Sequence, residues 1–185
     1  MKIALFGASG MVGKRIMDEA VRRGHEVTAL VPATDEGPAE EQEGSLNVRR
    51  VIRRGLLPLT VKDALETTRH SRGLGPFDVV VAHGPTIAVG LARARLKGPL
   101  VLVYHASLPR ELRFMRARLP WGRERGVAYL NEPITVLLER AAVKRSRRIL
   151  ILSEFSRSLL MADHPEESPK VRKLVAGVDT SSFSP

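Results

Sequence analysis

Near its start the chain reads Lys2-Ile3-Ala4-Leu5-Phe6-Gly7-Ala8-Ser9-Gly10-Met11-Val12-Gly13, a short apolar run closed by glycines at G-x-x-G-x-x-G spacing. A helical pattern begins at once behind it. This combination predicts a buried strand, a tight turn and the N-terminus of a helix. Glycine lets the backbone turn sharply there, and lets a diphosphate approach the unpaired N–H groups at the positive end of the helix dipole. Gly7, Ser9, Gly10, Met11 and Gly13 are therefore the candidate residues of a donor-phosphate or cofactor loop. The motif admits a nucleotide without saying which one. Close strand–helix packing is the other use of the same glycines.

The rest of the chain repeats that unit. A helix is predicted over 11–23, with Val12, Ile16, Ala20 and Val21 buried and Gly24 closing it. His25 to Val31 reads as a strand ended by Pro32, and the acidic, Gly- and Pro-containing stretch 34–45 as a solvated, mobile loop. A strand crowded by arginine is expected over 47–52, then an amphipathic helix over 59–69 with Val61, Ala64 and Leu65 inward. Phe77 to Ala82 and Leu100 to Tyr104 are apolar on both faces, as buried parallel strands are, with a helix over 86–96 between them. A basic excursion over 108–126 follows; Asn131 then reads as the cap of a helix with Pro133 in its first turn, running to Lys144. The last elements are a strand over 149–152, a helix capped by Ser153 and reaching Met161, and a short strand over 171–175.

This alternation predicts an α/β fold, a Rossmann-like doubly wound parallel sheet with helices on both faces, as a single domain over 1–178. Residues 179–185 read as a linker. Ligands of such sheets sit beyond the carboxyl ends of the strands. That places His83-Gly84-Pro85, His105 to Ser107, and Ser153-Glu154 on one edge with the glycine loop.

Composition narrows the class. No apolar run approaches the roughly 18 residues a membrane span needs, and the N-terminus lacks the pattern of a signal peptide. Without cysteine there are no disulfides or thiolate metal sites, and a cytoplasmic location is the default. The five histidines show no metal-binding spacing, so no metal is expected. A net charge of +10 favours anionic partners: phosphates, an anionic bilayer or nucleic acid. The alternative is arginine spread over solvated faces.

Two resemblances emerge from these residues. MKIALFGASGMVGKRIMDEAVRRGHEVTALV resembles NAD(P)-binding short-chain reductase and NmrA-like proteins. The position after the second strand, Val31-Pro32, is neither the acid nor the arginine that would hold an adenosine ribose or its phosphate, and no Y-x-x-x-K follows. From Phe77 onward, FDVVVAHGP, LVLVYHAS, LLERAAVKRSRRILILSEFSRSLL and VAGVDTSSFSP resemble the N-terminal domain of family-4-like GT-B glycosyltransferases. The last piece is similar to that family's N-G-V-D-x-x-x-F-x-P link to a second domain, with Ala176 where Asn is usual.

The second resemblance implies a metal-independent, retaining sugar transferase using a nucleotide-sugar, UDP- or GDP-linked, as donor substrate, with no tightly bound cofactor. It implies a reaction-centre role for His105, the diphosphate near Gly10, and an acceptor side formed by His83, Gly84, Pro85, Ser107, Ser153 and Glu154. The family's second domain, which grips most of the donor, does not follow Pro185, so the chain is expected to be the acceptor-side half and inactive alone. NADP binding by a reductase-type domain is the alternative, and a recombined or engineered scaffold, a chimera without activity, is a third reading.

Arg110, Arg113, Arg116 and Arg118 recur near helical spacing among Leu112, Met115 and Leu119, and Trp121, Arg123 and Arg125 follow. This stretch is expected to form an anion patch that rests peripherally on the inner membrane face, near a lipid-linked or phosphorylated sugar acceptor. Aromatics make up only 4% of the chain, which argues against nucleic acid. His25, His70 and His164 are expected at the surface.

Overall fold

A computed structural model of the chain describes residues 1–6, 11–32, 40–51 and 59–174. In chain order its elements are β1 (Lys2–Phe6), α1 (Met11–Arg22), β2 (Glu26–Pro32), β3 (Glu40–Glu43), β4 (Leu46–Val51), α2 (Leu59–Ser71), β5 (Val79–His83), α3 (Pro85–Ala94), β6 (Leu100–Tyr104), α4 (Leu108–Arg118), α5 (Arg123–Arg145), β7 (Arg148–Ile151), α6 (Glu154–Asp163), a 3-10 turn (Pro165–Lys170) and β8 (Val171–Lys173). The strands form one sheet in the order β3-β4-β2-β1-β5-β6-β7-β8. Every neighbouring pair is parallel except β3–β4. The chain thus starts in the middle at β1, winds outward through β2 and β4, then returns to β5 and winds the other way. The switch point falls between β1 and β5, where a doubly wound sheet opens a crevice for ligands.

Alternation along the central strands buries both faces. Phe6, Ala82, Leu102, Tyr104 and Ile151 join Leu91 of α3, Val143 of α5 and Leu160 of α6 in one cluster. Leu5, Val81 and Val103, one residue out of phase, face the other way onto Ala20, Ile16 and Met17 of α1. α1 ends as expected at Gly24, whose φ is +76°. The Gly24 N–H donates to the Val21 carbonyl and the His25 N–H to that of Ala20, a Schellman closure.

Four expectations are corrected. Residues 40–43, expected within a mobile loop, form β3 antiparallel to β4, with Glu43 opposite Leu46 in register. Leu65, placed inward, is 43% exposed. α2 packs against α3 through small residues: a Cβ on Gly90 would stand 2.6 Å from Thr67 Cβ and 2.7 Å from the Ala64 carbonyl. The Thr68 hydroxyl bonds the Gly90 carbonyl at 3.1 Å, so Ala64 and Thr68 are the buried positions and Leu65 turns outward.

The basic excursion is α4 and the first turns of α5, and α5 runs unbroken through Asn131 and Pro133. A proline ring removes one helical hydrogen bond. Tertiary contacts outweigh that loss: Glu132 takes Arg113 and Arg116 of α4, the Thr135 hydroxyl donates to the Glu132 carbonyl at 2.7 Å, and Ala128, Thr135, Ala142 and Val143 are buried. Finally, His164 lies inside, at 7% exposure, against Glu139. The predicted linker 179–185 lies outside the described residues.

Candidate functional site

Because β5 and β6 are parallel neighbours, with His83 opposite Val103, the residues ending them meet at the carboxyl edge of the sheet. His83 Nδ1 lies 3.3 Å from His105 Nε2. The rings stack, with centroids 5.4 Å apart and planes 29° from parallel. Burial, and then the neighbouring His105, push the His83 pKa down to about 4. Burial also lowers that of His105, against the pull of the Glu111 carboxylate. Both imidazoles are therefore neutral near pH 7.

Gly84 follows with φ 97° and ψ 155°, a conformation open essentially to glycine alone, and Pro85 begins α3. The Gly84 N–H reaches across to the Val103 carbonyl at 3.2 Å, tying the end of β5 to β6. β1 pairs with β5 on the other side, Phe6 opposite Ala82, so the start of α1 shares this edge. Gly7, Ser9 and Gly10 lie outside the described residues; Gly13 is buried in the first turns of α1. No side-chain placement is described for Met11 or Arg123.

The segment carrying His105 is clamped from two sides. The Ser156 hydroxyl donates to the His105 carbonyl at 2.6 Å. Ser153 caps α6 by accepting from the Ser156 N–H at 3.0 Å, and its hydroxyl stands 3.0 Å from that of Ser156. On the far side Glu139, 1% exposed, reaches in from α5. Its carboxylate accepts from the Leu108 N–H at 2.7 Å, the Ser107 hydroxyl at 3.1 Å and the Tyr104 hydroxyl at 3.3 Å. Ser107 is the cap residue of α4, yet its side chain makes no capping bond; the Glu139 carboxylate satisfies that helix start instead. His164 Nε2 lies 3.6 Å from Glu139, and that carboxylate raises its pKa.

His83, Gly84, Pro85, His105, Ser107 and Ser153 are thus gathered at the edge expected for them. Glu154 is not drawn to the imidazoles: its carboxylate pairs with Lys173 at 3.1 Å and Arg157 at 3.6 Å. Of the arginines, Arg110 forms a two-pronged pair with Asp163, and Arg113 and Arg116 share Glu132. Arg118 stacks on Phe114 with 3.5 Å from guanidinium to ring centroid, and Arg125 stands 4.1 Å from that of Trp121. Sequence reasoning missed Glu139, Tyr104, Ser156 and His164. The S-x-x-S spacing of Ser153 and Ser156, cap and third helical position, was a usable signal. A glutamate in mid-helix gives none.

Among the described residues, no three His, Asp or Glu side chains cluster as a metal site would need, and no helix is long and apolar enough to cross a membrane. The sequence model of Glycosyltransferase Family 4 matches residues 11–182. Among solved structures, sucrose-phosphate synthase from Thermosynechococcus elongatus superposes over 100% of this chain and 50% of its own, at TM-score 0.69 and 11% identity. Another structure of that protein gives 0.64 and 11% identity over 98% and 92%. At that identity the likeness is one of fold. Among curated proteins, the uncharacterized YwnB of Bacillus subtilis (strain 168) is 36% identical over 81 residues, 44% of this chain and 30% of YwnB. The chain therefore spans less than a third of that relative and half of the first synthase chain.

Proposed function

The chain belongs to glycosyltransferase family 4, and from that premise we propose that it is the acceptor-side half of a retaining transferase that uses a nucleotide-sugar, UDP- or GDP-linked, as donor. The observation that carries this reading is the meeting of His83 and His105 at the switch-point edge, 3.3 Å apart and beside the start of α1. A donor diphosphate is stabilised by N–H groups at a helix start, and a neutral imidazole can bond a sugar hydroxyl without adding charge. Gly84 and Pro85 line the acceptor side.

A thermal-shift titration against UDP, GDP, their sugar conjugates, NADPH and NADH tests the reading. Ligand at about 100 times its dissociation constant stabilises by roughly 2.7 kcal/mol. A shift with a nucleoside diphosphate or its sugar conjugate supports the transferase; a shift with NADPH alone overturns it in favour of a reductase-type domain.

We also propose that the α4–α5 hairpin rests on an anionic bilayer. Trp121 is 83% and Leu130 74% exposed, with Phe114, Met115 and Tyr129 exposed nearby. Arg118 and Arg125 stack on exposed rings, and neither pairs with an acid among the described residues, a mixture that suits a headgroup layer. Co-sedimentation with phosphatidylglycerol vesicles, weakened several-fold by Trp121→Ser, is the expected result; equal pelleting with neutral phosphatidylcholine vesicles would overturn it.

A further inference from the structure

We infer that His83 fixes the tautomer of His105, so that His105 meets a ligand through an Nδ1–H group, as a hydrogen-bond donor rather than as a base.

At 3.3 Å, His83 Nδ1 and His105 Nε2 share one proton, and between two neutral rings only two arrangements exist. In the first, His83 carries its proton on Nδ1 and donates to the Nε2 lone pair of His105. In the second, His105 donates from Nε2, and His83 must then hold its own proton on Nε2. The environment of that atom separates them. His83 Nε2 is buried and has no hydrogen-bond partner among the described residues. The second arrangement leaves a buried N–H without an acceptor, the kind of orphan that folded proteins rarely carry; the first leaves only an unused lone pair there.

The first arrangement puts the remaining proton of His105 on Nδ1, the ring nitrogen left for a ligand. The third possibility, a charged ring donating from both nitrogens, is resisted by burial and by the closeness of the partner ring, which hold His83 down at about 4. The group that counters this for His105 is Glu111, one turn into α4. His105 then selects an oxygen that accepts, a sugar hydroxyl or a phosphate oxygen. The choice of ligand rests on the function proposed above; the tautomer does not.

Long-range 1H–15N correlation spectra of the uniformly labelled chain at pH 7.5 read the tautomer directly, with no ligand present. The expected spectrum shows His105 protonated at Nδ1. In His83→Phe the protonated and unprotonated nitrogens of His105 exchange identities, toward the Nε2–H form that an unconstrained histidine favours. In His83→Asn, whose amide N–H replaces Nδ1–H, the original pattern is retained. His105 protonated at Nε2 in the unaltered chain, or unchanged in His83→Phe, overturns the inference. Failure of UDP-glucose or GDP-mannose to perturb these signals would instead count against the proposed function and leave the tautomer standing.

Discussion

The Ser156 hydroxyl donates to the carbonyl oxygen of His105 at 2.6 Å, joining residues 51 apart in the chain. Ser156→Ala removes the donor and leaves a part-buried carbonyl without it, while the Ser156 N–H still bonds the Ser153 cap. The expected loss is about 1–2 kcal/mol, read as a lower urea midpoint with unchanged slope. An unchanged midpoint would mean that the His105 segment is held by other contacts.

Glu139 serves three donors at once, so its variants should form a series. Glu139→Ala orphans the Leu108 N–H and both hydroxyls and should cost about 3–5 kcal/mol. Glu139→Gln keeps an acceptor oxygen and should cost distinctly less. Equal losses in denaturant titrations would show that the negative charge of Glu139, which Gln lacks as fully as Ala does, matters more than a neutral acceptor oxygen or the filled volume.

The histidines should tilt the pH dependence of stability in opposite senses. His164 has a folded pKa above its usual value of 6.5, so its contribution is full below that pH and is lost as pH rises through the raised value. His83, at about 4 when folded, contributes fully above 6.5, and that contribution is lost as pH falls from there toward 4. The difference from the unaltered chain in a pH series of denaturation curves should therefore shrink on the alkaline side for His164→Asn and on the acid side for His83→Asn. The reverse pattern would exchange their environments.

Gly90→Ala should destabilise, even though alanine is better than glycine by about 0.5–1 kcal/mol inside a helix. The new methyl would stand 2.6 Å from Thr67 Cβ and 2.7 Å from a backbone oxygen, neither of which can swing away. Overpacking of this kind costs about 1–3 kcal/mol, so the expected thermal midpoint falls. A rise would mean that α2 separates from α3 easily.

What could be read from the sequence was set by local signals. The strands Val79–His83 and Leu100–Tyr104 are apolar up to their last residue, which marks buried parallel strands, and their carboxyl ends point to His83 and His105. The partnership itself needed strand order. Asn131 and Pro133 gave a strong local start signal for a helix, and the pairing of Glu132 with arginines of a neighbouring helix overrode it. Glu139 and His164 were invisible for the same reason: their roles come from partners 25 to 35 residues away, as the bonds to Tyr104 and Ser107 illustrate.

The sheet has two open sides among the described residues, and both are short and charged. One is β3, four residues with the sequence Glu-Glu-Gln-Glu; the other is β8, three residues that include Arg172 and Lys173. A second molecule adding strand to strand about a two-fold axis must set like side against like side, acid on acid or base on base, along a ladder of three or four residues. Symmetric sheet extension is thereby blocked at both margins. Among the described elements, a two-fold symmetric pair is left to build on helices rather than on strand edges.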